Sequence, residues 1–376
     1  MINTLKFYNT IVKNEVDFFT GVPDSLLKEF CFCITDNTKP QNHIINTNEG
    51  SAIGLSIGYN LATGKTPLVY LQNSGLGNII NPYVSLSHRS VFNIPMLMFI
   101  GWRGEPGKID EPQHKFQGKI TEQLLQLLEI EYEVLEADTI KSITQITRVI
   151  KKIKIEKKSV AILVKKNTFT KYDYQPKNNQ NVLEREKCIS AILSSLRSDD
   201  IIISTTGKTS REVYEAKVKN NYQFPSFFTI GGMGHCNQIS LGIANNTTKR
   251  VFCFDGDGSS LMHLGSLGIT GMNARENLHH IIFNNGSHES VGGQPTIAND
   301  VNFKLLSENL GYKKYVLLDN EIVFKQWIEG LNNSNEGPTM IEIKIKNFSR
   351  SNLGRPKENP FEQKKFFLNQ FNGIKD

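Results

Sequence analysis

At 376 residues the chain exceeds one compact domain, and a content of 39% hydrophobic and 21% charged residues excludes a disordered or fibrous polymer. The net charge of +6 is spread along the chain; its densest run, Lys151-Lys152-Ile153-Lys154 with Lys157-Lys158, reads at helical spacing as a solvated face rather than a nucleic-acid patch. No apolar run approaches the roughly 18 residues of a membrane helix, the first residues lack an apolar signal core, and the cysteines at 31, 33, 188, 236 and 253 have no zinc-ligand spacing, so a cytoplasmic protein with reduced thiols is expected.

Short apolar runs alternate with helical patterns along the whole chain. In the first half the expected strands are residues 16–21, 43–47, 66–72, 94–102, 132–136 and 159–165, with amphipathic helices at 49–62 and 121–128. Glu49 stands where the second strand gives way to a Gly/Ala-rich helix. Taken alone, an acidic side chain there reads as a cap or a partner for the helix dipole. The third strand runs into Asn73-Ser74-Gly75-Leu76-Gly77-Asn78. Residues 168–182 are polar, aperiodic and contain Pro176, so they divide the chain into domains 1–167 and 183–376. The second half repeats the rhythm with strands at 200–205, 226–230, 250–254, 279–284, 315–318 and 339–345. Such alternation implies parallel sheets covered by helices on both faces. The fold class is therefore α/β, with two doubly wound parallel-sheet domains whose ligands belong at the carboxyl ends of strands.

Within the second half, residues 250–260 (RVFCFDGDGSS) carry an apolar strand straight into Gly256-Asp257-Gly258, followed by a helix expected over 259–273. Glycines let the backbone approach a ligand, a helix start offers free N–H groups to an anion, and Asp257 is placed to hold a hard cation beside that anion. The strand 279–284 ends in Asn284-Asn285-Gly286-Ser287. On adjacent parallel strands the two tips would supply a carboxylate, an amide oxygen and a backbone carbonyl. That set suits octahedral magnesium completed by diphosphate oxygens and water. Each motif alone reads as a plain turn; the pair, one helix plus one strand apart, carries the signal. Thr206-Gly207-Lys208-Thr209 looks like the end of a P-loop, but Ile202 stands where that motif needs glycine. Gly232-Met233-Gly234 lacks the third glycine of a dinucleotide fingerprint, since position 237 is Asn.

GDGSS followed by NNGS resembles the signature of the thiamine-diphosphate enzymes. The resemblance implies a fold of two such domains, one binding the pyrimidine and one the diphosphate of the cofactor. It implies Mg2+ ligands from Asp257, the Asn285 side chain and the Ser287 carbonyl, with Asn285 preferred over Asn284. Residues 43–64 (HIINTNEGSAIGLSIGYNLATG) resemble that family's catalytic-glutamate segment. By that resemblance Glu49 bonds the pyrimidine ring and promotes its imino tautomer; a desolvated carboxyl with a raised pKa suits the role. In the same picture Met233 is the wedge that bends the cofactor. Gly232, Gly256, Gly258 and Ser259 line it, Thr205, Thr206, Thr209 and Ser210 reach the diphosphate, and Asn73 lies in the matching loop of the first half.

With no room for a third domain, the chain is similar to the two-domain phosphonopyruvate decarboxylases and the related sulfopyruvate decarboxylases. The segments that carry this are 101–118 (GWRGEPGKIDEPQHKFQG), 284–296 (NNGSHESVGGQPT) and 349–360 (SRSNLGRPKENP). Asp110-Glu111-Pro112-Gln113-His114 is their most specific piece. Read as chemistry, Arg103, Lys108, Arg350 and Arg355 are candidates to bind a dianionic phosphonate, with Asp110 beside them. Gln113, His114 and His288 are candidates for proton delivery. The resemblance implies decarboxylation of an anionic 2-oxo acid, 3-phosphonopyruvate, in phosphonate biosynthesis. It further implies a homo-oligomer in which Glu49 of one chain faces the metal site of another, with neither nucleic acid nor membrane as partner. The alternatives are sulfopyruvate decarboxylation and a non-catalytic diphosphate-binding regulatory module.

Overall fold

The computed structural model describes residues 1–175, 179–332, 336–347 and 349–373. The chain forms two compact units, Met1–Pro176 and Lys177–Asp376. The expected divider at 168–182 spans this boundary, and its residues 176–178 lie outside the described ones.

Each unit is built on a six-stranded parallel sheet. The first contains β1 (Phe19–Gly21), β2 (His43–Ile45), β3 (Leu68–Gln72), β4 (Leu97–Gly101), β5 (Glu131–Val134) and β6 (Val160–Val164), in the order β2-β1-β3-β4-β6-β5. The second contains β7 (Ile201–Ser204), β8 (Ser226–Phe228), β9 (Val251–Gly256), β10 (Leu278–Asn284), β11 (Lys314–Leu318) and β12 (Thr339–Lys344), in the order β11-β12-β10-β9-β7-β8. All twelve expected strands are present, most of them shorter than the apolar runs that announced them.

Because successive side chains point to opposite faces, the apolar strands feed two cores per sheet. Tyr70, Phe99 and Ile162 pack on one face of the first sheet with Phe7 and Phe30, while Val69, Met98 and Leu163 pack on the other with Ile53 and Leu125. In the second unit Phe252, Phe254, Ile281 and Phe283 share one face, and Val251, Cys253 and Ile203 the opposite one.

The helix expected over 259–273 is two helices, Asp257–Met262 and Leu264–Asn273, because His263 (φ −127°, ψ 58°) leaves helical geometry between them. The helix expected at 121–128 begins earlier, as Pro112–Leu127. Pro112 opens it at a position where its missing N–H costs nothing and its fixed φ suits a helix. The basic run falls on the helix Thr139–Glu156 and just beyond, where Lys152 and Lys158 pair with Glu131. No described helix is long and apolar enough to cross a membrane.

Between β1 and β3, and between β7 and β9, the chain departs to opposite sides, which opens a crevice at the carboxyl ends. At the other end of β7 and β9, Asp200 takes a forked pair of hydrogen bonds from Arg250 at 2.8 and 2.5 Å, and Arg250 also reaches the Leu331 carbonyl at 2.8 Å. Both side chains are buried, so losing one leaves an uncompensated charge in the core. Asp200→Ala is expected to lower unfolding free energy by about 3–5 kcal/mol. Urea denaturation measures it, and a loss below about 1 kcal/mol would show that the pair does not hold these strand ends.

Candidate active site

The register of β9 against β10 pairs Gly256 with Phe283, so Asp257 emerges beside Asn284 and Asn285. Asp257 opens its helix and is 3% exposed. Thr296 Oγ1 donates to its Oδ2 at 2.6 Å, and the backbone N–H groups of Gly258 and Ser287 also favour the ionised form. Burial outweighs them and pushes its pKa up to about 6. Among the described residues no cation is paired with it. A buried carboxylate without counter-charge is a place for a metal ion.

Asn285 is buried beside it. Its Oδ1 accepts the Ser287 N–H at 3.0 Å, and its Nδ2 donates to Glu289 at 3.3 Å. Asn284 is spent inside the sheet: its amide donates to Glu342 at 2.7 Å and accepts the Gly286 N–H at 3.0 Å. The donors gathered here are oxygens, a set that fits Mg2+ and not a soft thiophilic metal.

Around them the strand tips interlock. Ser259 Oγ accepts the Gly234 N–H at 3.1 Å and lies 3.0 Å from the Thr205 hydroxyl. A Cβ added at Gly258 would stand 3.2 Å from His288 Cε1 and 3.4 Å from Met233 Cε, so those three predicted residues meet over bare backbone. Gly232 adopts φ +64° in the turn that presents Met233. Thr206 is half-buried at the tip of β7, and Thr209 is buried at the second position of the helix Lys208–Lys219. Ser210 departs from expectation. Its hydroxyl turns inward to the carbonyls of Thr205 (2.6 Å) and Ser204 (3.2 Å), a local bond that takes it away from any ligand.

In the first unit Glu49 opens the helix Glu49–Thr63, but Asn48 performs the capping by accepting the Ser51 N–H at 2.9 Å. Glu49 is thus free of that role. It is 4% exposed, accepts from Asn78 Nδ2 at 2.7 Å, and burial raises its pKa. A Cβ at Gly75 would stand 2.3 Å from Glu49 Oε1, so glycine there is what makes room for the carboxylate.

Asn73 is committed elsewhere. Its amide donates to the Arg103 carbonyl (2.8 Å) and Thr121 (3.0 Å) and accepts the Arg103 N–H, which fastens the loop after β4 rather than facing a cofactor. The expected phosphonate-binding arginines are likewise engaged. Arg103 forks onto Asp110 at 2.9 and 2.5 Å and reaches Ser25 at 3.1 Å; that pairing draws Asp110 down to about 2. Arg350 is held by Glu186 at 2.9 Å and by Glu215. Neither is a free cation, because a carboxylate stands within reach of each in the fold. Lys108 and Arg355 are exposed, and Gln113 is half-buried. His114 is half-buried, with its pKa lowered by burial and by Arg103; burial holds His288 down to about 4. Both are therefore neutral imidazoles at neutral pH, able to relay a proton but not to serve as resident cations.

Several residues at these sites gave no sequence signal. Asp24, fully buried at the tip of β1, accepts from Gln72 (2.7 Å) and the Leu26 N–H (2.8 Å), and only a glycine at 101 leaves it space. Arg185 forks onto Glu212 at 2.8 and 2.9 Å and reaches Glu289 at 2.8 Å, which also accepts from Lys208 at 3.1 Å. Partners so far apart in the chain have no shared periodicity to reveal them.

Residues 6–125 match the family described as thiamine pyrophosphate enzyme, N-terminal TPP binding domain, and residues 205–343 match its C-terminal TPP binding domain. Among curated relatives, a phosphonopyruvate decarboxylase of Streptomyces viridochromogenes is 30% identical over 91% of this chain and 88% of its own length. One of Streptomyces hygroscopicus is 31% identical over 91% and 87%. A sulfopyruvate decarboxylase of Methanosarcina acetivorans is 24% identical over 78% of each chain.

The raised pKa of Glu49 has a thermodynamic consequence. An acid whose folded pKa lies above its unfolded value contributes stability below the unfolded pKa and loses it as pH rises through the folded one. In cofactor-free protein, Glu49→Gln is expected to raise the urea midpoint near about pH 8 and to change it little near about pH 4. An equal shift at both values would show that Glu49 is not desolvated.

Proposed function

Since the chain belongs to the thiamine pyrophosphate enzyme family, as a decarboxylase of the phosphonopyruvate and sulfopyruvate type, we propose that it converts 3-phosphonopyruvate to phosphonoacetaldehyde and carbon dioxide. The observation that carries the site is the buried, uncompensated Asp257 beside Asn285 and Ser287. These three would hold Mg2+ and, through it, the cofactor diphosphate. Gly256, Gly258, Ser259 and Thr206 would line the approach, with Met233 against it. Glu49 would meet the pyrimidine end. When bound, thiamine diphosphate supplies the nucleophilic carbon and the electron sink that decarboxylation of a 2-oxo acid requires. The chain's own part is to keep Glu49 out of water, which raises its pKa and favours sharing a proton, with Asn78 fixing its direction. His288 and His114, as neutral imidazoles, would relay the proton that replaces the lost carboxylate, and Gln113 would orient the group that leaves.

Phosphonate near neutral pH approaches a dianion, whereas sulfonate of similar shape is a monoanion. Arg103, locked by Asp110, offers directed N–H donors at little entropic cost, and Lys108 and Arg355 would add charge on approach, whereas Arg350 is already neutralised by Glu186 and Glu215. Each charge-assisted bond is worth roughly 1.5–3 kcal/mol, which favours the second charge. The full-length relatives near 30% identity, named for phosphonopyruvate, support the same order.

With purified protein, thiamine diphosphate and Mg2+, kcat/KM is expected to fall from phosphonopyruvate to sulfopyruvate to pyruvate, the last by about four orders of magnitude. Arg103→Ala should slow the phosphonate reaction far more than that of pyruvate. Faster turnover of sulfopyruvate would transfer the assignment to that acid.

The reading includes a homo-oligomer in which Glu49 of one copy serves the metal site of a second. Inactive Glu49→Gln and Asp257→Ala chains, coassembled at random into two-fold dimers, should regain roughly a quarter of the sites. Proven mixed assembly without activity would place both residues in one chain's site.

A further inference from the structure

Asn285 is the ligand whose chemistry leaves its direction open. A carboxamide presents an oxygen at one end and an NH2 group at the other, and only the oxygen can face a cation. Two contacts settle which end is which. The Ser287 N–H donates to Oδ1 at 3.0 Å, and Nδ2 donates to Glu289 Oε2 at 3.3 Å. Turned over, the group would set N–H against N–H and oxygen against a carboxylate.

Glu289 is itself fixed. Its Oε2 also accepts from Arg185 at 2.8 Å, and its Oε1 from Lys208 at 3.1 Å. Arg185 is buried and locked from behind by its fork onto Glu212. The chain Glu212–Arg185–Glu289–Asn285 runs from the helices Lys208–Lys219 and Arg185–Ser195 to the loop after β10, so the direction of one amide rests on rigid elements. Glu289 has its charge balanced by two cations and needs no third donor for its own sake.

We propose that Glu289 is a positioning residue that holds the Asn285 carboxamide with its oxygen toward the Mg2+ site, an inference that rests on reading Asn285 as a ligand. Groups that orient metal ligands from behind help to set how tightly those ligands hold the ion. If Glu289 served only as counter-ion to Arg185, its loss would lower stability and leave metal affinity alone.

The test uses full-length protein stripped of cofactor, with Mn2+ as probe and the electron paramagnetic resonance signal of free Mn2+ as readout, at fixed thiamine diphosphate. Glu289→Ala should weaken Mn2+ binding by about ten- to a hundredfold. Its kcat at saturating metal should stay close to wild type, so the defect appears in the metal requirement and not in turnover. Glu289→Gln can place its carbonyl where Oε2 stood, accept again from Asn285 and Arg185, and recover part of the loss. A folded Glu289→Ala protein that binds Mn2+ as wild type does overturns the role of Glu289. If that variant does not fold, Glu289→Gln decides: several-fold weaker Mn2+ binding supports the role, and wild-type binding overturns it. Wild-type protein that holds thiamine diphosphate without any divalent ion would bring down the reading of Asn285 as a ligand, and the role of Glu289 with it.

Discussion

Asp257 keeps a carboxylate out of water with hydrogen bonds but no opposite charge among the described residues, and its neighbourhood is arranged around that placement. A buried anion is among the most expensive things a fold can carry unless something neutralises it. Thr296 and three backbone N–H groups, of Gly258, Ser287 and Asp257 itself, share the load without removing it. To bring them there, the loop after β10 folds back on itself: the Thr296 N–H bonds the Gly286 carbonyl at 3.0 Å and the His288 N–H bonds the Gln294 carbonyl at 2.8 Å. Gly286 allows the turn with φ +67°, where a Cβ would collide with Asn299. Loop, glycine and threonine together supply the hydrogen bonds that hold Asp257 in its buried place.

Glu49 shows the same constraint in the first unit. It too is removed from water at the start of a helix, and it too is accommodated by the absence of a side chain, at Gly75. One neutral amide, Asn78, faces it in place of a cation. The two carboxylates differ in what could balance them. Asp257 stands among hard oxygen donors that suit a metal ion, whereas Glu49 accepts from an amide and its own backbone N–H, and burial outweighs both and raises its pKa. Similar sheets thus carry two acids in different surroundings, one in each of the family's two TPP binding domains.

The basic residues teach a different lesson. A net charge of +6 suggests cations in reserve for an anionic substrate. Folding spends two of the arginines first: Arg103 goes to Asp110, and Arg350 to Glu186 and Glu215. What the Arg103–Asp110 pair offers a substrate is direction rather than surplus charge. Discrimination between a dianion and a monoanion then depends on how many N–H donors are already aimed.

Sequence by itself determined the twelve strands, because an apolar run buried on both faces of a sheet is visible in any window that contains it. It also pointed to Asp257 and Asn285, since each follows directly on a strand and such positions are local, whereas Glu49, which by position reads as a cap, was singled out by the resemblance of its segment. Tertiary structure alone decided the rest. The break at His263 lies inside a stretch that reads as continuous helix. Asn73 and Ser210 looked available until the fold supplied backbone partners for them. Arg185, Glu212 and Glu289 lie 27 and 104 residues apart along the chain and share no pattern; only the packing of helices against a sheet brings them to one point. Periodicity records which side of an element faces the core. It holds no record of which charged groups from distant elements will meet, because pairing depends on distances that exist only after the chain has closed.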